Sequence, residues 1–249
     1  MNDYIIIANG NFLIRETIQE AIQKKIVIAL DGASNKLLHL NIKPNIILGD
    51  FDSAFVGEKS NWGIKKSFHD LSDDEETYTG HHEVTIVPTK NQLYTDLVKA
   101  IHYCDLQPAS SITIICATGG RMDHHEGAMR ALRSYYQKNR PMILHTDQQS
   151  IRFAKDEIIE IHGISGDKCG FIAYPHGKMS SQGLEFEADN FPLEFAYSEN
   201  ICNSLISTVA TVEISGEALI IMPSQLTSQR EWMQKSEKEK LLLMLRDVE

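Results

Sequence analysis

The chain has 249 residues, of which 42% are hydrophobic and 23% charged, so it holds enough apolar material for a sizeable core and is not a disordered polymer. Its formal net charge of -10 disfavours a nucleic-acid backbone or an anionic membrane as principal partner, although a bound divalent cation can reverse the local field of an acidic pocket. The four cysteines, Cys104, Cys116, Cys169 and Cys202, form no CxxC pair and no zinc-like spacing, which reads as free thiols in a reducing compartment.

The first residues, Met1 to Ile7, carry an acid and only a very short apolar run. They read as a first strand, not as a signal peptide or a membrane span, and the cytoplasm is the expected location. Apolar runs rich in Ile and Val recur at 4–8, 26–30, 46–48, 84–87, 112–116 and 142–145, as strands buried on both faces require. Between several of them lie helix-periodic segments. Ile14, Ile18, Ala21 and Ile22 share a face over 14–24; Leu97, Ala100, Ile101 and Cys104 do so over 96–104; Ala128, Met129 and Leu132 do so over 124–139. Strands alternating with helices predict an α/β N-terminal domain, Rossmann-like with a mostly parallel sheet, over residues 1–148.

Beyond residue 148 the texture changes. Short strand-like pieces at 158–161, 170–174, 184–186, 208–214 and 218–222 alternate with turn formers, among them His176-Gly177-Lys178 and Ser215-Gly216-Glu217. This predicts an all-β sandwich C-terminal domain over 149–224, followed by a helical tail over 225–249 that carries Trp232 and the apolar run 241–245. The acidic stretch 69–83, with Asp73-Asp74-Glu75-Glu76 and His81-His82, reads as a solvated loop or helix end.

In an open α/β sheet ligands bind beyond the carboxyl ends of the strands, so the residues after each strand carry the chemistry. Asp31-Gly32-Ala33-Ser34-Asn35 follows the second run, Gly49-Asp50-Phe51-Asp52-Ser53 the third, and Ala117-Thr118-Gly119-Gly120-Arg121-Met122-Asp123-His124 the fifth. Asp50 and Asp52 are two apart, so in extended backbone their carboxylates point to one side. Two such groups repel unless a cation lies between them, and hard oxygen donors with open positions suit Mg²⁺. The turn Thr118-Gly119-Gly120-Arg121 leads into a helix whose amides can cradle an anion, with Arg121 as a forked phosphate donor. Thr95-Asp96 opens another helix on the same rim. No GxxxxGK[ST] loop and no GxGxxG is present.

These motifs, in this order and spacing, resemble the thiamine pyrophosphokinase (thiamin diphosphokinase) family. Gly183-Leu184-Glu185-Phe186 is similar to that family's Gly-Leu-Lys-Tyr segment, and Cys202-Asn203 falls where it has Ser-Asn, so the resemblance spans about residues 3–222. It implies a homodimer whose active site lies between the α/β domain of one subunit and the sandwich of the other. It implies transfer of pyrophosphate from ATP to thiamine, giving thiamine diphosphate and AMP. By resemblance, Asp50, Asp52 and Asp96 hold Mg²⁺ and the phosphates. Asp31, Asn35, Thr118, Gly119, Gly120 and Arg121 line the nucleotide, Arg121 and Asp123 steady the transferred group, and Cys202 and Asn203 face thiamine from the partner. The catalytic group is then Asp50, Asp52, Asp96, Arg121 and Asp123.

Three positions depart from the family pattern. Leu93 stands where the family has an aspartate, Ala33 where it has a second glycine, and Cys202 where it has serine. The alternatives to be tested are a pyrophosphokinase for another small alcohol, such as a hydroxymethylpterin, and a catalytically weak thiamine- or nucleotide-binding protein.

Overall fold

The computed structural model describes residues 1–50, 84–237 and 239–240, together with the backbone of two short strands at 64–66 and 78–80. Among these residues the N-terminal part alternates as expected. Its elements are β1 (Asn2–Ile7), α1 (Arg15–Ala21), β2 (Ile26–Leu30), α2 (Ala33–His39), β3 (Ile46–Gly49), β4 (Ile64–Lys66), β5 (Tyr78–Gly80), β6 (Thr85–Pro88), α3 (Asp96–Asp105), β7 (Ala109–Ile115), α4 (Met122–Ser134) and β8 (Met142–His145). The C-terminal part comprises β9 (Gln149–His162), β10 (Lys168–Gln182), β11 (Phe191–Glu194), β12 (Asn200–Ser204), β13 (Val209–Pro223) and α5 (Thr227–Gln234).

All the described strands belong to one mixed sheet, ordered β11-β10-β13-β9-β8-β7-β1-β2-β3-β6-β5-β4, with β12 pairing the start of β10 on the edge that β11 pairs further along. The segment β8-β7-β1-β2-β3-β6 is parallel throughout. Both of its faces are covered, which explains the unbroken apolar runs. Tyr4 and Ile6 of β1 point into a core shared with α3 and α4, whereas Ile5 and Ile7 point into a second core shared with α1 and α2. Strand alternation sends successive side chains to opposite layers. The helix α2, which begins within the stretch that follows strand two, buries Ala33, Ser34 and Leu37.

Two sequence expectations are corrected in the C-terminal half. The turns expected at His176-Gly177-Lys178 and Ser215-Gly216-Glu217 are bulges inside single fifteen-residue strands, β10 and β13, marked by register shifts between Ala173 and Gly177 and between Ile214 and Glu217. The physical reason is a close backbone approach. A Cβ on Gly177 would lie 2.9 Å from the Ser215 carbonyl oxygen, and one on Gly216, at φ +90°, would lie 2.9 Å from the Gly177 Cα. The neighbouring β9 joins the same line, where Asp156, at φ +47°, accepts the Gly216 N–H through Oδ1 at 2.7 Å. Bulges aligned across three strands bend the sheet there. The strand expected at 184–186 reduces to an isolated bridge, Leu184 to Leu205.

The tail is helical at α5, as expected, and the apolar run at 241–245 lies outside the described residues. Most of the acidic stretch 69–83 lies outside them too; its described piece, Tyr78–Gly80, is a strand.

Candidate active site

The parallel strands deliver their C-terminal ends to one rim, and β2, β3 and β6 are consecutive neighbours there. Asp31 leaves β2 at φ +23°, buried, with its N–H donated to the Leu48 carbonyl at 2.9 Å. Gly49 ends β3 directly against it: a Cβ at Gly49 would meet the Asp31 Cβ at 2.8 Å. The glycine thus lets the Asp31 and Asp50 backbones sit side by side. Asp50 accepts a 2.8 Å hydrogen bond at Oδ2 from Gln92 Nε2. Thr89, one residue past β6, donates its N–H to the Gly49 carbonyl at 2.8 Å.

The start of α3 completes this rim. Thr95 caps the helix through its hydroxyl, which accepts the Val98 N–H at 3.4 Å. Asp96 then sits in the first turn, where the helix dipole favours an anion. Its Oδ1 accepts a 3.0 Å hydrogen bond from Lys99 Nζ, and the same ammonium donates to the Thr89 carbonyl at 3.2 Å. The Lys99 side chain is only 9% exposed, so these two hydrogen bonds satisfy a largely buried ammonium.

A second cluster forms where β1 and β7 lie side by side. Helices after β1 cover one face and the helix after β7 the other, which makes this the topological switch point. The loops leaving the two strands interlock. Gly10 donates its N–H to the Cys116 carbonyl at 2.7 Å, and Asn11 donates to the Thr118 carbonyl at 2.9 Å. A Cβ on Gly10 would approach the Thr118 oxygen to 2.5 Å, and Gly119, at φ +77°, backs onto the Asn11 side chain. Lys36 closes the cluster, with Nζ 3.2 Å from the Gly10 carbonyl it donates to and 4.8 Å from the Phe12 ring centroid. Cys116 is buried here, and burial pushes its thiol up to about 12, so it is not a nucleophile.

Past Gly120, the solvent-facing Arg121 binds Asp123 through two hydrogen bonds, 3.1 Å from Nε and 2.5 Å from Nη2. The guanidinium holds the Asp123 carboxyl below its ordinary value. Asn35 lies half-buried in the first turn of α2.

The remaining predicted residues lie elsewhere. Cys202 and Asn203 are in β12, which pairs with β10 near the far end of the sheet. Cys202 is exposed at φ +63°. Asn203 is fully buried, and its amide is engaged internally: Oδ1 accepts the N–H groups of Phe186 and Ser204, while Nδ2 donates to the Phe186 carbonyl and to Asn200 Oδ1. It pins the segment that carries the exposed Phe186 ring.

The structure therefore gathers Asp31, Asp50 and Asp96 on one rim, places Thr118, Gly119, Gly120, Arg121 and Asp123 at the switch point, and sets Cys202 and Asn203 far along the sheet. Asp52 lies outside the described residues. Sequence reasoning missed Gln92, Lys99, Gly10 and Asn11. Gly10-Asn11 follows the first strand and was open to the same strand-exit rule, but carries no charge to draw attention. Gln92 explains how the rim is built without an acid at position 93: the Leu93 side chain is 86% exposed, and the residue before it reaches Asp50. Among the described residues no three His, Cys, Asp or Glu side chains form a metal-ligating group, and no helix is long and apolar enough to cross a membrane.

No curated sequence matches the chain. Solved structures do. Thiamine pyrophosphokinase from Bacillus subtilis is 21% identical, with a TM-score of 0.70 over 90% of this chain and 100% of that one. Thiamin pyrophosphokinase from Candida albicans is 18% identical, with a TM-score of 0.71 over 89% of this chain and 90% of that one. The yeast thiamin pyrophosphokinase is 16% identical, with a TM-score of 0.69 over 89% and 86% of the two chains. At these identities the likeness is one of fold. The family model of the thiamin pyrophosphokinase catalytic domain matches residues 18–144, half of the chain and the part that carries the acidic rim. The chain belongs to the thiamin pyrophosphokinase family and is an enzyme that makes thiamine diphosphate by pyrophosphate transfer.

Proposed function

We propose that the acidic rim and the switch-point loops together hold ATP and carry its pyrophosphoryl group to thiamine. The observation that carries this reading is the placement of Asp31 and Asp50 at the ends of adjacent parallel strands, with Asp96 tied to the end of the next one through Lys99. Neighbouring strands are about 4.8 Å apart, a spacing on which several carboxylates can serve one polyphosphate.

Asp50, Asp52 and Asp96 would hold Mg²⁺. Among the described residues the carboxylates of Asp50 and Asp96 fit it, since this ion takes one or two such hard oxygen donors directly and completes its shell with water and phosphate oxygens. When bound, Mg²⁺ neutralises charge on the transferring group. The chain's own residues position and balance the reaction. Gln92 fixes the Asp50 carboxylate and Lys99 fixes that of Asp96. Arg121, held ready by Asp123, offers a fork of N–H donors to phosphate oxygens. Thr118, Gly119 and Gly120 present the backbone before α4, while Asp31 and Asn35 border the nucleotide. The thiamine hydroxyl oxygen attacks the β-phosphorus, the bond from that phosphorus to the oxygen of AMP breaks, and an aspartate of the rim accepts the hydroxyl proton.

The finer architecture belongs to the same reading. Residues 1–148 act as a Rossmann-like catalytic domain, 149–224 as a thiamine-binding β-sandwich and 225–249 as a helical tail. The sandwich is supported by the aligned bulges and by one core that joins residues from both sides of the bend, including Phe171 and Met179 of β10. A homodimer is supported by distance. β10, which carries β12, is seven strand spacings from β3, about 34 Å along the sheet, so Cys202 and Asn203 serve Asp50 only from a second subunit. The exposed Phe186, Phe195, Tyr197, Ile201 and Ile206 of this half are the kind of apolar surface a partner covers. Asn203 acts there through the Phe186 segment it pins. The cytoplasm suits the four free cysteines.

The test is an assay of AMP release with thiamine, ATP and Mg²⁺. Stoichiometric AMP and thiamine diphosphate are expected. Activity confined to a hydroxymethylpterin, or thiamine binding with no AMP above background, would overturn the reading.

A further inference from the structure

The line of bulges across β9, β10 and β13 divides the long strands into an inner part, continuous with the parallel sheet, and an outer part that carries β11. On β9 the outer part begins at Glu157, which pairs with Ile214, whereas Arg152 lies on the inner part, between Ile220 and Ile143. The Glu157 carboxylate reaches back across the bulge. It accepts Arg152 Nη2 on both oxygens, at 2.8 and 2.7 Å, the Lys155 N–H at 3.3 Å and the Tyr136 hydroxyl at 3.5 Å. The side chain is only 22% exposed, so these charge-assisted bonds are stronger than those of a surface pair.

The inner side of the line is fixed to the catalytic half. Arg133, in the last turn of α4, holds Glu217 of β13 from Nη2 at 2.8 Å, and α4 buries Ala128, Met129 and Leu132 in the core of the parallel strands. A second, apolar tie crosses the bend as a chain of edge-to-face rings. Tyr136 meets Phe153 at 5.1 Å between centroids, Phe153 meets Tyr174 at 6.5 Å, and Tyr174 meets Phe195, beyond β11, at 6.4 Å. Bulged strands bend by an amount that their side chains set, and here one carboxylate joins the two sides of the bend. We propose that Glu157 is a positioning residue for thiamine: it fixes the angle of the bend and so the place where the outer half of the sheet, with the Phe186 segment, meets the rim of a second subunit. This rests on the pyrophosphokinase reading and its homodimer.

Glu157→Ala removes all of these contacts, and Glu157→Gln keeps an acceptor but no charge. Thiamine, and separately ATP with Mg²⁺, are titrated by calorimetry against the full-length wild type and both variants. Thiamine is expected to bind about 3- to 10-fold more weakly to Glu157→Ala, the range of one misplaced hydrogen bond, with Glu157→Gln between it and the wild type. Affinity for ATP should stay within about twofold, because its proposed residues lie inside the bend. Arg152→Met should weaken thiamine binding similarly, and the double variant with Glu157→Ala should bind no worse than the weaker single one, since the pair acts as a unit. A purely structural role would lower the urea midpoint and leave both affinities unchanged. That result, with thiamine diphosphate still formed by the wild type, would overturn the positioning role and keep the enzyme reading. A wild type that forms no product while the thiamine shifts appear would strike the enzyme reading and keep the positioning role. Failure of the wild type to bind thiamine would overturn both.

Discussion

Asp50 shows how much one side chain depends on residues that carry no charge. Its backbone is brought beside Asp31 because Gly49 has no Cβ to collide there, and its carboxylate is held by a neutral amide, Gln92. Asp50→Asn preserves size and that contact geometry while removing a charge-stabilising group. Its turnover with thiamine and ATP should fall by at least about a hundredfold, the scale of losing one such group in a transfer enzyme, and its denaturation midpoint should stay near that of the wild type. Wild-type turnover would remove Asp50 from the mechanism. The place of Asp50 at a strand exit was legible in the sequence, while the expectation that Asp52 shares its side falls outside the described residues. Gln92 was not legible, since glutamine in a loop has no periodicity and acquires meaning only from the strand end it reaches.

At the scale of elements, the bend and the tail make separate predictions. Gly216 sits at φ +90° against the Gly177 backbone. Gly216→Ala adds a Cβ that strains the backbone conformation and meets Gly177, at about 1–3 kcal/mol, and a lower urea midpoint with an unchanged slope should report it. The tail helix α5 is fastened to α1 by Glu20, which accepts the N–H groups of Thr227 and Ser228, both at 2.9 Å, and the Ser228 hydroxyl at 2.5 Å. Burial alone would raise the Glu20 pKa, but the Ser228 hydroxyl and the two amides outweigh it and the net shift is downward. Below it, His145 shares the Ser150 hydroxyl at 2.7 Å, and that oxygen also accepts the Gln225 N–H at 2.9 Å. Burial pushes His145 down to about 4 from 6.5.

Both folded-state values are depressed, so both groups stabilise the fold above their unfolded values and lose that contribution on acidification. For His145 the loss runs from pH 6.5 down to about 4 and amounts to about 3 kcal/mol; for Glu20 it begins below the ordinary value of 4.5. Urea midpoints measured across this range should fall with pH in the wild type, and His145→Gln should flatten the part between pH 6.5 and 4. A wild-type curve that is flat over that window would contradict the buried neutral imidazole.

For the whole molecule, the proposed second subunit, about 34 Å of sheet being the ground for it, is tested by subunit mixing. Asp50→Asn and Asn203→Asp damage opposite partners of the proposed shared site. Each should be weakly active alone, and a refolded mixture should regain activity because a heterodimer restores one intact site. No regain, with dimers shown by sedimentation, would place the whole site within one chain. The sequence by itself determined the α/β half: runs of Ile and Val buried on both faces, helices with a single apolar stripe, and acids at successive strand exits are local patterns with fixed periods. It also determined the family, through four short motifs in order. Only the tertiary structure decided the rest. Glycines that read as turns became bulges because two backbones press together there, which is a relation between strands far apart in sequence. The carboxylates of Asp50 and Asp96 acquired Gln92 and Lys99 as partners for the same reason. A strand's own sequence states which faces it buries, but not which residues from other strands and loops will stand at its end.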